Sequence, residues 1–122
     1  MAQYKTDLRE RAKAFGIAAY KVSYGIQERY PGLRNPCTQM CRAASSIGAN
    51  LTEGEGLNSR RELAARYAIA MREARETKYW LELIQGAEPQ MAGVVAPLYA
   101  ECKELIAMTT AALRKLRSPP PP

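Results

Sequence analysis

Histidine is absent from all 122 residues of the chain. Without an imidazole, the chain can build neither a Ser-His-Asp nor a Cys-His catalytic group, and it lacks the His ligands of zinc and di-iron sites. Glycine-rich phosphate loops are absent as well, because the fragment Gly54-Glu55-Gly56 is explained more simply as the end of a helix. We therefore predict that the protein is not an enzyme and that it holds no metal and no cofactor.

Cysteine is scarce, with three residues at Cys37, Cys41 and Cys102. An odd number of scattered cysteines is typical of a reducing compartment rather than of a disulfide framework. No apolar run approaches the roughly 18 residues that are needed to span a bilayer, and the N-terminus lacks the apolar core of a signal peptide. These absences predict a cytoplasmic protein with no membrane partner.

Residues that favour strands are also scarce. Valine occurs at only three positions, whereas Ala, Leu, Arg and Glu dominate the composition. Apolar residues make up 47% of the chain and charged residues 25%, as in an ordinary globular protein. The length suffices for one domain with a real core. Composition therefore indicates a single all-α domain.

Four segments repeat their apolar residues at steps of three and four, which is the period of helices that pack on one side. The predicted helices cover about 4-29, 36-53, 59-85 and 94-117. They predict an antiparallel up-down four-helix bundle over residues 1-117, followed by a disordered proline tail at 118-122.

Turn and capping residues set the predicted helix ends. Asn35 as N-cap and Pro36 as the first helical residue predict the start of the second helix. Ser59 opens a capping box at the start of the third helix. Gly54 or Gly56 is predicted to end the second helix in a left-handed conformation.

The second helix is short of charge, because Arg42 is its only ionised side chain between Pro36 and Thr52. One line of its residues is apolar and comprises Cys37, Met40, Ala44, Ile47 and Leu51. The opposite line is not a charged, solvated face and comprises Arg42, Ser46, Ala49 and Glu53. We therefore expect this helix to be the most buried of the four and to be covered on more than one side.

The same helix carries a resemblance to a known family. The run Arg42-Ala43-Ala44-Ser45-Ser46-Ile47, followed by Asn50 and by Glu53-Gly54, resembles the signature of the four-helix bundle proteins known from intervening sequences of bacterial 23S rRNA genes. The segment Arg72-Glu73-Ala74-Arg75-Glu76-Thr77-Lys78-Tyr79-Trp80-Leu81 is similar to one in that family's third helix, and Tyr30-Pro31 resembles the turn that closes its first helix. The resemblance extends from about Leu8 to Leu116. It implies a four-helix bundle that assembles as a homopentamer, is distantly similar to the accessory protein of diversity-generating retroelements, and has no established enzymatic activity.

Asn50 and Glu53 are the polar residues of this signature. Since we expect them to be partly buried, they must be hydrogen-bonded, either to Arg42 or to free backbone groups of a neighbouring helix. We interpret them as structural, with ligand contact as the alternative.

The third helix carries basic residues away from its predicted core seam. Steps of about 100° per residue place Arg61, Arg72 and Arg75 opposite that seam. The candidates for contact with nucleic acid are Arg60, Arg61, Arg72, Arg75 and Lys78. Two pairs at i, i+4 predict ion pairs on this helix, namely Glu62 with Arg66 and Arg72 with Glu76.

Apolar residues also occur beside that seam, at Ile69 and Trp80. They are candidates for a contact between subunits, although Trp80 is equally compatible with a place over the core of the single chain. A net charge of +6 and a pI near 9.4 are compatible with an acidic partner and also with mere solubility.

Two hypotheses about function follow. The first is a nucleic-acid-associated accessory protein, in which an oligomeric bundle contacts the phosphates of RNA or DNA without reading their sequence. The second is a self-assembling structural scaffold whose partner is another protein. Net charge and the family resemblance favour the first.

Overall fold

The computed structural model describes the backbone of residues 2–119 and the side chains of residues 7–119. It contains four long helices, α1 (Ala2–Arg29), α2 (Arg34–Gly54), α3 (Arg60–Ala87) and α4 (Ala92–Arg117). No strand occurs in the described backbone. The predicted disordered proline tail covers 118-122, and its residues 120–122 lie outside the described residues.

Each helix packs against two others. α1 contacts α2 and α4, and α3 contacts the same two helices, so the four helices stand at the corners of a square in chain order. Short connections make consecutive helices antiparallel. The contact between α1 and α4 is the thinnest of the four. The prediction of an all-α, antiparallel four-helix bundle is therefore confirmed.

No helix within the described part of the chain combines the length and the apolar character that a bilayer span requires.

Two proline turns join helices at one end of the bundle. Pro31–Leu33 leads from α1 into α2, and Pro89–Met91 leads from α3 into α4, each as one turn of 3-10 helix. The residue before each proline has left the helical region, with φ and ψ of −129° and 80° at Tyr30 and of −132° and 83° at Glu88. The proline ring disfavours that region for its predecessor. The last residue of each turn is buried in the core.

These turns shift the helix starts relative to the prediction. Each turn runs directly into the next helix, so α2 begins at Arg34 and α4 at Ala92. The predicted N-cap at Asn35 is wrong, because Leu33 holds that position without a side-chain cap. Pro36 lies within the first turn, where a missing N–H is tolerated because the first four N–H groups have no intrahelical partner.

The connection between α2 and α3 departs from the prediction at one end. The predicted left-handed glycine is wrong, because no described glycine has a positive φ and Glu55 caps α2 in a right-handed conformation. Ser59 is the N-cap of α3, and its Oγ accepts a hydrogen bond from the N–H of Glu62 at 3.3 Å. That half of the predicted capping box is confirmed.

The apolar line of α2 forms the centre of the core. Each of its members is at most 1% exposed, namely Cys37, Met40, Ala44, Ile47 and Leu51. Seven of the 21 residues of α2 are buried, compared with seven of 28 in α3 and six of 26 in α4. The outer line of α2 differs from the expectation, since Arg42, Ala49 and Glu53 are exposed in the single chain.

α1 and α2 approach each other closely at the level of their backbones. A Cβ added to Gly16 would lie 3.6 Å from the Cα of Ser45. A Cβ added to Gly48 would lie 3.4 Å from the backbone nitrogen of Lys13. Glycine at these two positions therefore lets the two helices pack without intervening side chains.

Candidate nucleic-acid interface

α3 carries a row of arginines on the side that faces away from the core. Arg61, Arg72 and Arg75 are exposed, whereas Ala74 and Leu81 on the core side are fully buried. Eleven residues make close to three helical turns, so Arg61 and Arg72 lie on one line of α3 about 16 Å apart. Regular helix geometry therefore positions this row.

Lys78 lies beside the row, on the side of α3 that packs against α4. Its Nζ is 6.0 Å from the centre of the Tyr99 ring, and the Nζ of Lys103 is 5.5 Å from the same ring. Arg114 is exposed and continues the line of Lys103 three turns further along α4. Two helices thus contribute cations to one surface. We call this surface the basic face, and it comprises Arg61, Arg72, Arg75, Lys78, Lys103 and Arg114.

Lys103 and Arg114 are not among the candidates that the sequence predicted. Periodicity within α4 does not reveal which of its faces adjoins α3, so their proximity to the α3 row depends on helix packing. The sequence does contain one signal for them. Lys103 and Arg114 are eleven residues apart, which is also the spacing of Arg61 and Arg72.

Ion pairs between described residues lie away from the basic face. They join Arg9 to Glu55, Arg11 to Glu101 and Arg66 to Glu53, at 3.3, 2.6 and 2.7 Å. The Arg11 pair is bidentate, with a second bond of 3.0 Å, and it fastens the thin α1–α4 contact. Within residues 7–119 no cation of the basic face has a carboxylate at ion-pair distance.

Both ion pairs predicted inside α3 are wrong. Arg66 bonds to Glu53 of α2 rather than to Glu62. Arg72 forms no ion pair with Glu76 among the described residues. The side chain of an arginine can reach a carboxylate on its own helix or one on the neighbouring helix. The sequence alone does not show which carboxylate of the neighbouring helix lies within reach.

Arg60 has a specific local role at the end of the bundle. Its Nη2 donates to the backbone carbonyls of Lys115, Leu116 and Ser118, at 2.9, 3.2 and 3.1 Å. These carbonyls belong to the last turn of α4 and the residue after it, where acceptors have no intrahelical partner. Arg60 therefore caps α4.

Three polar residues join α2 to the start of α3. The Nδ2 of Asn50 donates to the carbonyl of Ser46 at 2.8 Å, and its Oδ1 accepts from Nη1 of Arg66 at 3.2 Å. The same Nη1 pairs with Glu53. The expected bond from Asn50 or Glu53 to Arg42 is therefore wrong, because Arg66 is their partner.

Gly54 completes this junction. A Cβ at this position would lie 2.9 Å from Cδ1 of Leu63 and 3.6 Å from Cβ of Arg66. The absence of a side chain lets α3 begin close to the end of α2. Ile47, one further residue of the signature, is fully buried in the core. The geometry of these residues is that of helix packing.

Arg42 is exposed on the outer line of α2, and its charge affects the pKa of Glu73 on α3. Burial, followed by the nearby charge of Glu76, raises the pKa of Glu73. Arg42 and Arg72 oppose that shift. The outer surface where α2 meets α3 is thus mixed in charge.

Ile69 and Trp80, the candidates for a subunit contact, are half-buried in the single chain. Trp80 packs against the hydrophobic core and meets Tyr79 edge-to-face, with ring centres 5.1 Å apart and planes at 77°. Its indole N–H is shielded from solvent and has no partner among the described residues. Trp80 therefore contributes to the core of the single chain.

Three of the five large apolar side chains that are exposed among the described residues lie on α1. Ile17, Tyr20 and Tyr24 are 49%, 65% and 59% exposed. Their steps of three and four residues place them on one side of α1, away from the buried seam. The sequence contained this pattern, and our predictions did not use it.

The thiols are poorly suited to nucleophilic chemistry or metal binding. Burial raises the pKa of Cys102 to about 12 and also raises the pKa of Cys37. The thiolate is the reactive and ligating form, so burial suppresses it. Among the described residues, no group of three His, Cys, Asp or Glu side chains could hold a metal ion.

The architecture and this surface define a class, the all-α four-helix bundle with a positively charged outer face. The chain matches the family described as 23S rRNA-intervening sequence protein over residues 5–111. It therefore belongs to the 23S rRNA-intervening sequence protein family, and the resemblance inferred from the signature is confirmed.

A solved structure with a similar fold is that of a protein with unknown function from the S23 ribosomal protein family of Bacteroides thetaiotaomicron VPI-5482. The two chains superpose with a TM-score of 0.81 at 22% identity, covering 91% of this chain and 98% of that one. This similarity establishes the shared fold. No curated protein matches the chain.

Proposed function

We propose that the protein is a non-enzymatic, nucleic-acid-associated accessory protein that contacts the phosphate backbone of RNA or DNA through its basic face. The observation that carries this proposal is a set of cations on two neighbouring helices with no ion-pair partner among residues 7–119. Three arginines outside this face, Arg9, Arg11 and Arg66, are instead engaged with carboxylates at 2.6 to 3.3 Å. Uncompensated charge of this kind is the electrostatic footprint of phosphate binding.

The arrangement of the cations supports contact with several phosphates at once. The α3 row extends over about 21 Å from Arg61 to Arg75, the α4 row extends over about 16 Å from Lys103 to Arg114, and the two helix axes are separated by roughly 8–10 Å. Cations placed in this way favour sequence-independent binding, because phosphate contacts position a partner without reading its bases. The net charge of +6 favours the same partner. Three free cysteines support a reducing cytoplasm as the compartment.

The test compares two variants with the same change in net charge. The first replaces Arg61, Arg72 and Arg75 by Glu. The control replaces Lys13, Lys21 and Arg34 by Glu, which are exposed on the other pair of helices. Fluorescence anisotropy with labelled RNA and DNA at increasing salt measures the affinity and its salt slope.

We expect the first variant to lose affinity for all sequences alike and to lower the salt slope by about one unit for each lost contact. The control should bind as the unaltered protein does. Equal losses in the two variants would reduce the proposal to net charge alone, and unchanged affinity in the first would remove the basic face from the site. Light scattering on each sample shows whether a loss of binding follows from dissociation of an oligomer.

A second candidate function is a self-assembling scaffold, favoured by the exposed apolar residues of α1. Ile17, Tyr20 and Tyr24 form an apolar strip on α1. Such a surface is suited to contact with a second copy of the chain, and the pentamer is the assembly that the family resemblance implies. The variant Ile17→Asp should reduce the particle mass in light scattering, whereas Ile69→Asp should do so if the contact lies on α3. A monomer of the unaltered protein at micromolar concentration would end this proposal.

A further inference from the structure

A surface cleft of about 530 Å³ opens between the end of α3 and the start of α4. Its walls come from these two helices and from the proline turn that joins them. The lining residues are Glu82, Gln85, Gly86, Pro89, Ala92 and Tyr99. The cleft adjoins the basic face through Tyr99, whose ring both Lys78 and Lys103 approach.

Tyr99 is held in place at the mouth of the cleft. Its hydroxyl donates to Oε2 of Glu82 at 2.7 Å. That bond raises the pKa of Tyr99. An oriented aromatic ring, half-exposed to solvent, therefore lies near two ammonium groups.

These groups together match the parts of a nucleotide. An aromatic ring stacks with a base, and ammonium groups bind the phosphates on either side of it. The Glu82 carboxylate and the Gln85 side-chain amide can hydrogen-bond to the edge of a base. A solvent-exposed contact between a lysine and a ring is weaker than the stack of a base on that ring, so a base can displace the ammonium groups toward the phosphates.

We propose that this cleft takes one unpaired nucleotide of a strand bound on the basic face, with the base against Tyr99 and the adjoining phosphates at Lys78 and Lys103. The inference rests on the proposed function and adds that the ligand has at least one unpaired base. A perfect duplex keeps its bases stacked inside the helix and cannot fill the cleft without extruding one. The ligand class is therefore single-stranded or looped RNA or DNA.

The main test measures the binding of a labelled single-stranded oligoadenylate and of a perfect RNA duplex of equal length by fluorescence anisotropy. Tyr99→Leu should weaken binding of the single strand about 5- to 100-fold and leave the duplex unchanged. Tyr99→Phe keeps the ring and should retain most of the affinity. Tyr79→Leu removes an exposed ring of α3 outside the cleft and serves as the matched control. Equal losses for Tyr79→Leu and Tyr99→Leu, or no loss for Tyr99→Leu, would overturn the assignment.

The lysines are tested through the salt dependence of binding. Lys78→Gln and Lys103→Gln should each lower the salt slope for the single strand by about 0.7. Lys21→Gln on α1 removes the same charge from another surface and should leave the slope unchanged. A slope that responds equally to all three variants would contradict specific phosphate contacts at the cleft.

Crosslinking tests the site in the unaltered protein, independently of whether a variant folds. A strand that carries 4-thiouridine should crosslink to peptides that contain Tyr99 or Glu82, and crosslinks confined to other helices would overturn the proposal. Free AMP shares the base and phosphate but lacks the contacts of a strand with the basic face. AMP binding as tight as that of the strand would identify a mononucleotide as the ligand and contradict the inference.

The outcomes also separate this inference from the proposed function. If the unaltered protein binds neither single strand nor duplex, the proposed function fails and this inference fails with it. If it binds both with equal affinity and Tyr99→Leu changes neither, the proposed function stands and only the cleft assignment is wrong.

Discussion

The α1–α2 pair and the α3–α4 pair of this bundle are built differently. In the first, Gly16 and Gly48 allow the two backbones to meet. In the second, long side chains fill the outer seam, where Lys78 and Lys103 approach the ring of Tyr99. The first pair presents the apolar strip of Ile17, Tyr20 and Tyr24 on α1, and the second presents the basic face.

The two proposed functions, self-assembly and phosphate binding, fall on different halves of the fold. Small residues at a helix contact favour tight packing of the two backbones. Long charged residues favour exposure to solvent or to an anionic partner, because a buried unpaired charge is costly. Both helix pairs have the same antiparallel packing, so the difference between their surfaces comes from their side chains. The predictions below test this comparison, beginning with the largest expected effect.

The strongest test compares two isoleucines that are equal in chemistry and different in burial. Ile47 on α2 is fully buried, whereas Ile69 on α3 is half-buried. Ile47→Ala should lower the free energy of unfolding by about 2–5 kcal/mol, because it leaves a cavity in the core. Ile69→Ala should cost clearly less, and urea denaturation measures both. Ile47→Asp should abolish folding, and retained helicity in that variant would show that the core line of α2 is assigned to the wrong face.

The next test concerns the close approach of α1 and α2. Gly48→Leu should destabilise the protein by about 1–3 kcal/mol, because the new side chain has no room beside Ala12 and Lys13. Gly25 lies in α1 with nothing within 4 Å of an added Cβ, and Gly25→Leu should stabilise by up to about 1 kcal/mol. Thermal unfolding of the two variants gives opposite shifts if the contact is as described. Shifts of the same sign would show that helix propensity, rather than the helix contact, decides the outcome.

A smaller effect is expected from alkaline pH at the α3–α4 seam. Burial raises the pKa of Cys102 from 9.0 to about 12, so the folded state holds the thiol proton more tightly than the unfolded state does. This contribution to stability is present below about pH 9 and is lost as the pH rises toward 12, at most about 1.4 kcal/mol for each pH unit. The measurement is the free energy of unfolding from pH 8 to 11. Cys102→Ala should show a shallower decline over that range, and an unchanged slope would refute the buried thiol as its source.

The smallest effect is expected at the junction between the two halves. Arg66 pairs with Glu53 at 2.7 Å, but its side chain is 39% exposed and that of Glu53 is 63% exposed. A double-mutant cycle with Arg66→Met and Glu53→Gln should give a coupling free energy of a few tenths to about 1 kcal/mol. That coupling should fall at high salt. If the coupling free energy between Arg66 and Glu62 were equally large, it would support the ion pair within α3 that the sequence alone predicted.

Much of the fold could be predicted from the sequence, and the helix ends could be predicted less well. The core line of α2 was correct because apolar residues at the helical repeat lie on one face of the helix, and that face packs against the core. The ends at Asn35 and Gly54 were wrong because a proline turn can continue into a helix, and because glycine can serve a close contact instead of a left-handed cap. Four of the six residues of the basic face could be predicted, because they lie on α3. Lys103 and Arg114 could not, because their meeting with α3 depends on packing.

The sequence by itself determined that this protein is an all-α bundle with four helices, because composition, apolar periodicity and the family signature are local properties of the chain. The tertiary structure alone decided which residues meet across helices. It placed Arg66 with Asn50 and Glu53, Arg60 at the end of α4, and two lysines beside Tyr99. Periodicity specifies the face on which a residue lies. It does not specify the rotation and height of one helix against the next, and those two quantities set the partners of every long polar side chain.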